Sequence, residues 1–146
     1  MAETEPIVED DYESASKASA FLFQQWGTLD PVACLICGSG WGNVVEDLGH
    51  GESLPYEKIP GMSQTTVSGH AGKLHLRELQ SKQFLVFQGR RHFYEGVGWG
   101  PIRFPILLAK ELGVKTLFLT NAAGGVAPVF ELADLMVLKD HLNFIS

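Results

Sequence analysis

Positive charge is scarce in this chain: 11 lysines and arginines stand against 17 aspartates and glutamates, a formal net charge of −6. That balance excludes a broad nucleic-acid surface, which needs a basic stripe, and leaves local clamps as the places where an anion is attracted. Long apolar runs are missing as well. No stretch approaches the ~18 residues that a membrane-spanning helix requires, and the start Met1-Ala2-Glu3-Thr4-Glu5 has neither the basic nor the apolar region of a secretory signal. The expectation is a cytoplasmic chain whose partners are small molecules, with no nucleic acid and no membrane. Cysteine is limited to Cys34 and Cys37. Their C-x-x-C spacing has no second ligand pair for zinc and no mark of exposure for redox work. Both fall inside the apolar run Val32-Ala33-Cys34-Leu35-Ile36-Cys37, where residues three apart face opposite sides of a strand, so buried, inert thiols are expected. No metal-ligand spacing occurs elsewhere.

What is present is enough for one core: 146 residues, 45% of them hydrophobic. Residues 1–10 are acidic, contain Pro6 and are expected to be loose, with residues 11–146 belonging to one domain. From Asp11 to Trp26 the apolar positions Tyr12, Ala15, Ala18, Leu22 and Trp26 recur at helical spacing up to Gly27. Val32–Cys37 reads as a strand covered on both faces, and Val44–Leu48 as a short helix. Leu54-Pro55-Tyr56 suits an edge strand, although the segment from Gly49 to Gly61 carries little information. Leu74–Arg77 and Phe84–Phe87 make a hairpin across Gln80-Ser81-Lys82. A helical stripe over Ile102–Leu112 and buried strands at Val114–Thr120 and Leu135–Leu138 follow. The expected fold is α/β, a mixed, largely parallel central sheet flanked by helices.

Several strands empty into loops rich in glycine or in charge. Gly38-Ser39-Gly40-Trp41-Gly42-Asn43 follows the first strand and opens a helix, an arrangement that cradles anions with backbone N–H groups. It lacks the third glycine of a dinucleotide fingerprint and the G-K-[ST] of a P-loop, and a tight bend without a ligand also fits it. Gln88-Gly89-Arg90-Arg91-His92-Phe93-Tyr94-Glu95-Gly96 follows the run Phe84–Phe87. Arg90 offers a planar fork for a phosphate or carboxylate, and His92 can donate to the same anion or exchange a proton with it. An isolated Arg-x-His equally suits a solvated turn. Thr65-Thr66-Val67-Ser68-Gly69-His70-Ala71-Gly72 places His70 between glycines, and Asn121-Ala122-Ala123-Gly124-Gly125 is a small-residue loop. Loops 38–42, 89–96 and 121–125, each after an apolar strand, are expected to converge at one sheet edge as an anion site.

At these loops the chain resembles the trimeric-type purine nucleoside phosphorylases, the inosine/guanosine phosphorylase family. The matching blocks are I-C-G-S-G-W-G (36–42), T-V-S-G-H-A-G-K-L (66–74), Q-G-R-R-H-F-Y-E-G (88–96), T-N-A-A-G-G (120–125) and D-L-M-V-L-K-D-H-L-N-F (134–144). The resemblance implies the nucleoside phosphorylase fold, with residues 11–146 as the N-terminal half of one phosphorylase domain. It implies phosphorolysis of inosine or guanosine to the free purine and ribose 1-phosphate, in purine salvage. Inorganic phosphate would be a co-substrate, with no other cofactor and no metal. Phosphate binding would fall to Ser39, His70, Arg90, His92 and the backbone N–H of Ala122, the catalytic role to His92, ribose contact to Tyr94, and assembly to a homotrimer.

This chain departs from the family at several points. Trp41 stands where a small aliphatic residue is usual, Arg91 replaces an aromatic, and Val97-Gly98-Trp99-Gly100 differs from the usual linker. The base-recognising carboxylate and its neighbouring asparagine belong to the family's second half. A truncated chain, weak or inactive alone, is therefore expected. A non-catalytic phosphate-binding or subunit-interaction fragment is the alternative, as is the methylthioadenosine phosphorylase type, which Gly38-Ser39-Gly40 and Gly69-His70-Ala71-Gly72 fit less well.

Overall fold

A computed structural model describes residues 7–64 and 72–142. In order, the elements are helix α1 (Glu9–Trp26), strand β1 (Pro31–Cys37), the one-turn helix α2 (Val44–Asp47), strands β2 (His50–Pro55), β3 (Lys73–Leu79) and β4 (Lys82–Gln88), helix α3 (Gly100–Glu111) and strand β5 (Leu117–Leu119). Single 3-10 turns lie at Tyr56–Lys58 and Phe93–Glu95. Five strands make one mixed sheet in the order β2-β3-β4-β1-β5. β1 runs parallel to both β4 and β5, whereas β2, β3 and β4 are antiparallel neighbours.

The continuous apolarity of β1 is explained by cover on both faces. On one side Cys34, Ile36, Leu85 and Phe87 pack against Ala18 and Leu22 of α1 and Phe104, Leu108 and Ala109 of α3. On the other, Cys37 and Val86 meet Val45 of α2 together with Leu35, Trp41 and Leu48. The two cysteines therefore belong to opposite faces, as strand alternation requires, and both are buried and unbridged. Burial pushes the Cys34 thiol up to about 12 and the Cys37 thiol up to about 11, the latter moderated by the nearby Arg90 charge. Neither forms appreciable thiolate near neutral pH.

α1 begins at Glu9, two residues earlier than its apolar stripe suggests, because Glu9, Asp10 and Asp11 complement the positive helix start. Asp11 caps it by accepting from the Val8 N–H at 3.1 Å, and the same carboxylate lies 3.5 Å from Arg103 Nη2 of α3. Gly27, with φ 75°, ends the helix. Pro101 opens α3, and Gly113, with φ 81°, closes it.

Two expectations about the carboxyl-terminal third are corrected. The strand expected over Val114–Thr120 is reduced to Leu117–Leu119 and is exposed rather than buried, because β5 is an edge that pairs only with β1. Leu135–Leu138 forms no strand; Leu135 is 79% and Val137 93% exposed. Apolar sequence becomes a strand only when a neighbour supplies the ladder and a layer covers the face, and among the described residues nothing does either for this run. Among the described residues, too, no helix is long and apolar enough to cross a membrane.

The β3–β4 hairpin turns on Gln80 and Ser81, whose φ angles of 52° and 59° belong to the type I′ turn that matches strand twist. Left-handed geometry costs a side chain roughly 1–2 kcal/mol, partly offset by the extra unfolded freedom of a glycine. Ser81→Gly is therefore expected to stabilise the fold by about 0.5–1 kcal/mol, read as a higher urea midpoint at unchanged slope.

Candidate active site

Because β4, β1 and β5 are parallel neighbours, their carboxyl ends share one edge of the sheet. Cys37 is level with Gln88, and Ile36 with Leu119. The loops 38–42, 89–96 and 121–125 thus leave from adjacent strands, as the sequence suggested, and specific contacts tie them together. The Gly38 N–H donates to Thr120 Oγ1 at 2.8 Å, and a Cβ at Gly38 would lie 2.3 Å from the Thr120 carbonyl oxygen, so only glycine permits this approach. On the other side, Gln88 Nε2 donates to the Gly42 carbonyl at 2.7 Å.

Ser39 is exposed in the turn closed by the Trp41 N–H on the Gly38 carbonyl at 3.2 Å, with Gly40 at φ 84°. Arg90, half-buried, follows β4 by two residues. Burial draws its pKa down while Tyr94 and Cys37 oppose that shift, and a guanidinium stays charged at physiological pH. The clamp is organised by Glu95. Its Oε2 accepts from Arg91 Nη1 at 2.7 Å, and its Oε1 meets both the His92 backbone N–H at 2.5 Å and His92 Nδ1 at 3.1 Å. A carboxylate on Nδ1 favours the proton there and turns Nε2 to the opposite edge of the ring. The imidazole stacks on Tyr94, with centroids 5.0 Å apart and planes 16° from parallel, and Tyr94 is 75% exposed.

Ala122 lies in the exposed segment after β5. His70 is outside the described residues, but Gly72, two positions on, is anchored beside the clamp: its N–H donates to the Gln88 carbonyl at 3.0 Å and its own carbonyl accepts from Tyr56 N at 2.8 Å. The structure thus gathers Ser39, Arg90, His92 and Tyr94 along one edge, in a chain that is acidic as a whole.

Three residues that hold this edge had no role assigned from sequence. Glu95 had a usable signal, standing three and four positions after His92 and Arg91. Gln88 is a polar residue closing an apolar strand. Tyr56 comes from the segment that seemed uninformative; it is 1% exposed, and its hydroxyl donates to the Gly89 carbonyl at 2.6 Å.

Residues 32–145 match the family model described as Phosphorylase superfamily. The chain belongs to the phosphorylase superfamily. It is 43% identical over 130 residues to purine nucleoside phosphorylase 1 of Bacillus subtilis strain 168, covering 89% of this chain and 48% of that protein. Among solved structures, isoform 2 of purine nucleoside phosphorylase from Schistosoma mansoni, in complex with cytosine and ribose-1-phosphate, superposes with a TM-score of 0.71 at 39% identity, covering 81% of this chain and 41% of that one. A schistosoma purine nucleoside phosphorylase in complex with hypoxanthine gives a TM-score of 0.75 at 34% identity, with coverages of 88% and 44%. The chain spans less than half the length of each of these proteins. The matched region of the superfamily contains all of the loops described above.

Tyr56→Phe removes the donor to a buried carbonyl at the root of the clamp. Leaving such a group unsatisfied is expected to cost about 1–3 kcal/mol in urea unfolding.

Proposed function

We propose that this chain carries the phosphate-binding half of a purine nucleoside phosphorylase site, serving the phosphorolysis of inosine or guanosine. The observation that supports it most is the meeting of the Ser39 turn and the Arg90–His92 clamp at the ends of adjacent parallel strands, tied through Gln88. Relatives named purine nucleoside phosphorylase, and solved structures of them holding ribose-1-phosphate or hypoxanthine, supply the substrate class.

In this mechanism phosphate is the nucleophile. One of its oxygens attacks the anomeric carbon, the N-glycosidic bond breaks, its electron pair leaves with the purine, and ribose 1-phosphate is formed. The sugar gains cationic character along the way, so an oriented dianion both attacks and stabilises the transition state. Arg90 provides the bidentate fork, while Ser39, His70 and the Ala122 N–H complete the cradle. His92, held at Nδ1 by Glu95, uses Nε2: neutral, it accepts the phosphate's remaining proton, and protonated, it donates there. Tyr94, stacked on that ring and exposed, is suited to contact the ribose. No step calls on a metal or an organic cofactor. The family's homotrimer, a cytoplasmic setting and a place in purine salvage belong with this proposal; the free buried cysteines suit a reducing compartment, and the exposed Phe118 and Leu119 favour association.

The alternative reading is a non-catalytic phosphate-binding or subunit-interaction chain. Activity separates the two. Tested alone, the 146-residue chain is expected to phosphorolyse inosine far below an ordinary enzyme rate, because stabilising the departing purine contributes about 10²–10⁴-fold and no group for that task is assigned within it. Ordinary phosphate-dependent turnover by a monodisperse monomer would place the purine site within these residues instead.

Arg90→Ala is expected to weaken phosphate binding by about 1.5–3 kcal/mol, the worth of a charge-assisted contact. Calorimetric titration of phosphate into both proteins measures this; equal affinities would remove Arg90 from the site.

A further inference from the structure

The polar groups on the α2 face of the sheet form a connected relay. Lys73 pairs with Gln88 and His75 with Val86 in the β3–β4 register, so the side chains of His75 and Gln88 share the face that carries Val86. His75 is 8% exposed, and its Nε2 lies 3.0 Å from Gln88 Oε1; Gln88 Nε2 donates to the Gly42 carbonyl at 2.7 Å. Only the amide nitrogen can donate to a carbonyl, so the amide oxygen faces the imidazole and Nε2 of His75 must carry the proton. Two positions along, Arg77 Nε donates to the Val45 carbonyl at 3.0 Å. The stretch from the glycine-rich turn into α2 is thus clipped to the hairpin at Gly42 and at Val45.

Gln88 also touches the other loops. Its backbone carbonyl accepts from the Gly72 N–H just before β3, and its backbone leads directly into Gly89 and Arg90. We propose that Gln88, oriented by His75, is a positioning residue that sets the Ser39 turn against the Arg90 clamp. Its consequence for phosphate rests on the function proposed above; the mechanical coupling does not. Burial, with the Arg77 and Lys73 charges, holds the His75 pKa below the usual imidazole range although its bond to Gln88 opposes this, which keeps the ring neutral with its proton on Nε2.

The test is Gln88→Glu in the 146-residue chain. The variant keeps the size and the acceptor facing His75 but replaces the donor to Gly42 with an oxygen. Amide hydrogen exchange over residues 38–43 is expected to quicken about tenfold while the β3–β4 ladder keeps its protection. Inorganic phosphate is expected to bind about tenfold more weakly, with little change in thermal midpoint. Unchanged exchange at 38–43 would overturn the proposal. If Gln88→Glu loosens the whole fold, His75→Leu and His75→Gln decide: the leucine removes the donor and should loosen the turn, the glutamine restores a donor and should not, and equal exchange in both would overturn it. If wild type shows no phosphate binding, the function proposed above fails, and exchange alone still decides the relay.

Discussion

The parallel pairing of β1 with β4 on one side and β5 on the other is the constraint on which the rest depends. Parallel strands share direction, so the loops that leave them share an edge, and chemistry dispersed over some eighty positions of sequence is brought to one place. The antiparallel strands β2 and β3 brace that edge: Pro55 is level with Lys73, and Lys73 with Gln88, so the end of β2 and the start of β3 reach it as well. Arg77 of β3 reaches the Val45 carbonyl in the segment after the first strand, His75 meets Gln88 at the end of β4, and Tyr56, just past β2, holds the carbonyl of Gly89.

The clamp shows how an acidic chain gathers positive charge locally. Arg90 and Arg91 stand together, and like charges this close repel unless something compensates. Glu95 does so, with both oxygens engaged by Arg91 and His92 and a side chain only 7% exposed. That leaves the clamp positive overall, with Arg90 beside the turn that offers backbone donors. The Arg91–Glu95 pair gives the loop an ion pair of its own at 2.7 Å.

Much of this was legible in the sequence wherever a periodic pattern met a partner nearby. The stripe Ala15, Ala18, Leu22 foretold α1, and Cys34 and Cys37 landed on opposite faces because alternation in a strand leaves no choice. The meeting of loops 38–42, 89–96 and 121–125 followed from strands that end in small or charged residues. The failures share a cause. Leu135–Leu138 has the composition of a strand, but a strand is a pairing and no neighbour supplies one among the described residues. Tyr56 and Gln88 owe their roles to carbonyls 33 and 46 positions away, contacts that no local period encodes. Glu95 lies between these cases, since its spacing to Arg91 and His92 was visible although its work as a shared acceptor was not.

The central claim is that the carboxyl ends of three parallel strands form one phosphate site. Titrating inorganic phosphate into isotopically labelled protein and following backbone amide resonances tests it most directly. The account predicts saturable shifts with one common affinity at Gly38–Gly42, Gly89–His92 and Asn121–Gly124, and none along β2. Shifts confined to one of these loops, or scattered over the surface without saturation, would contradict it.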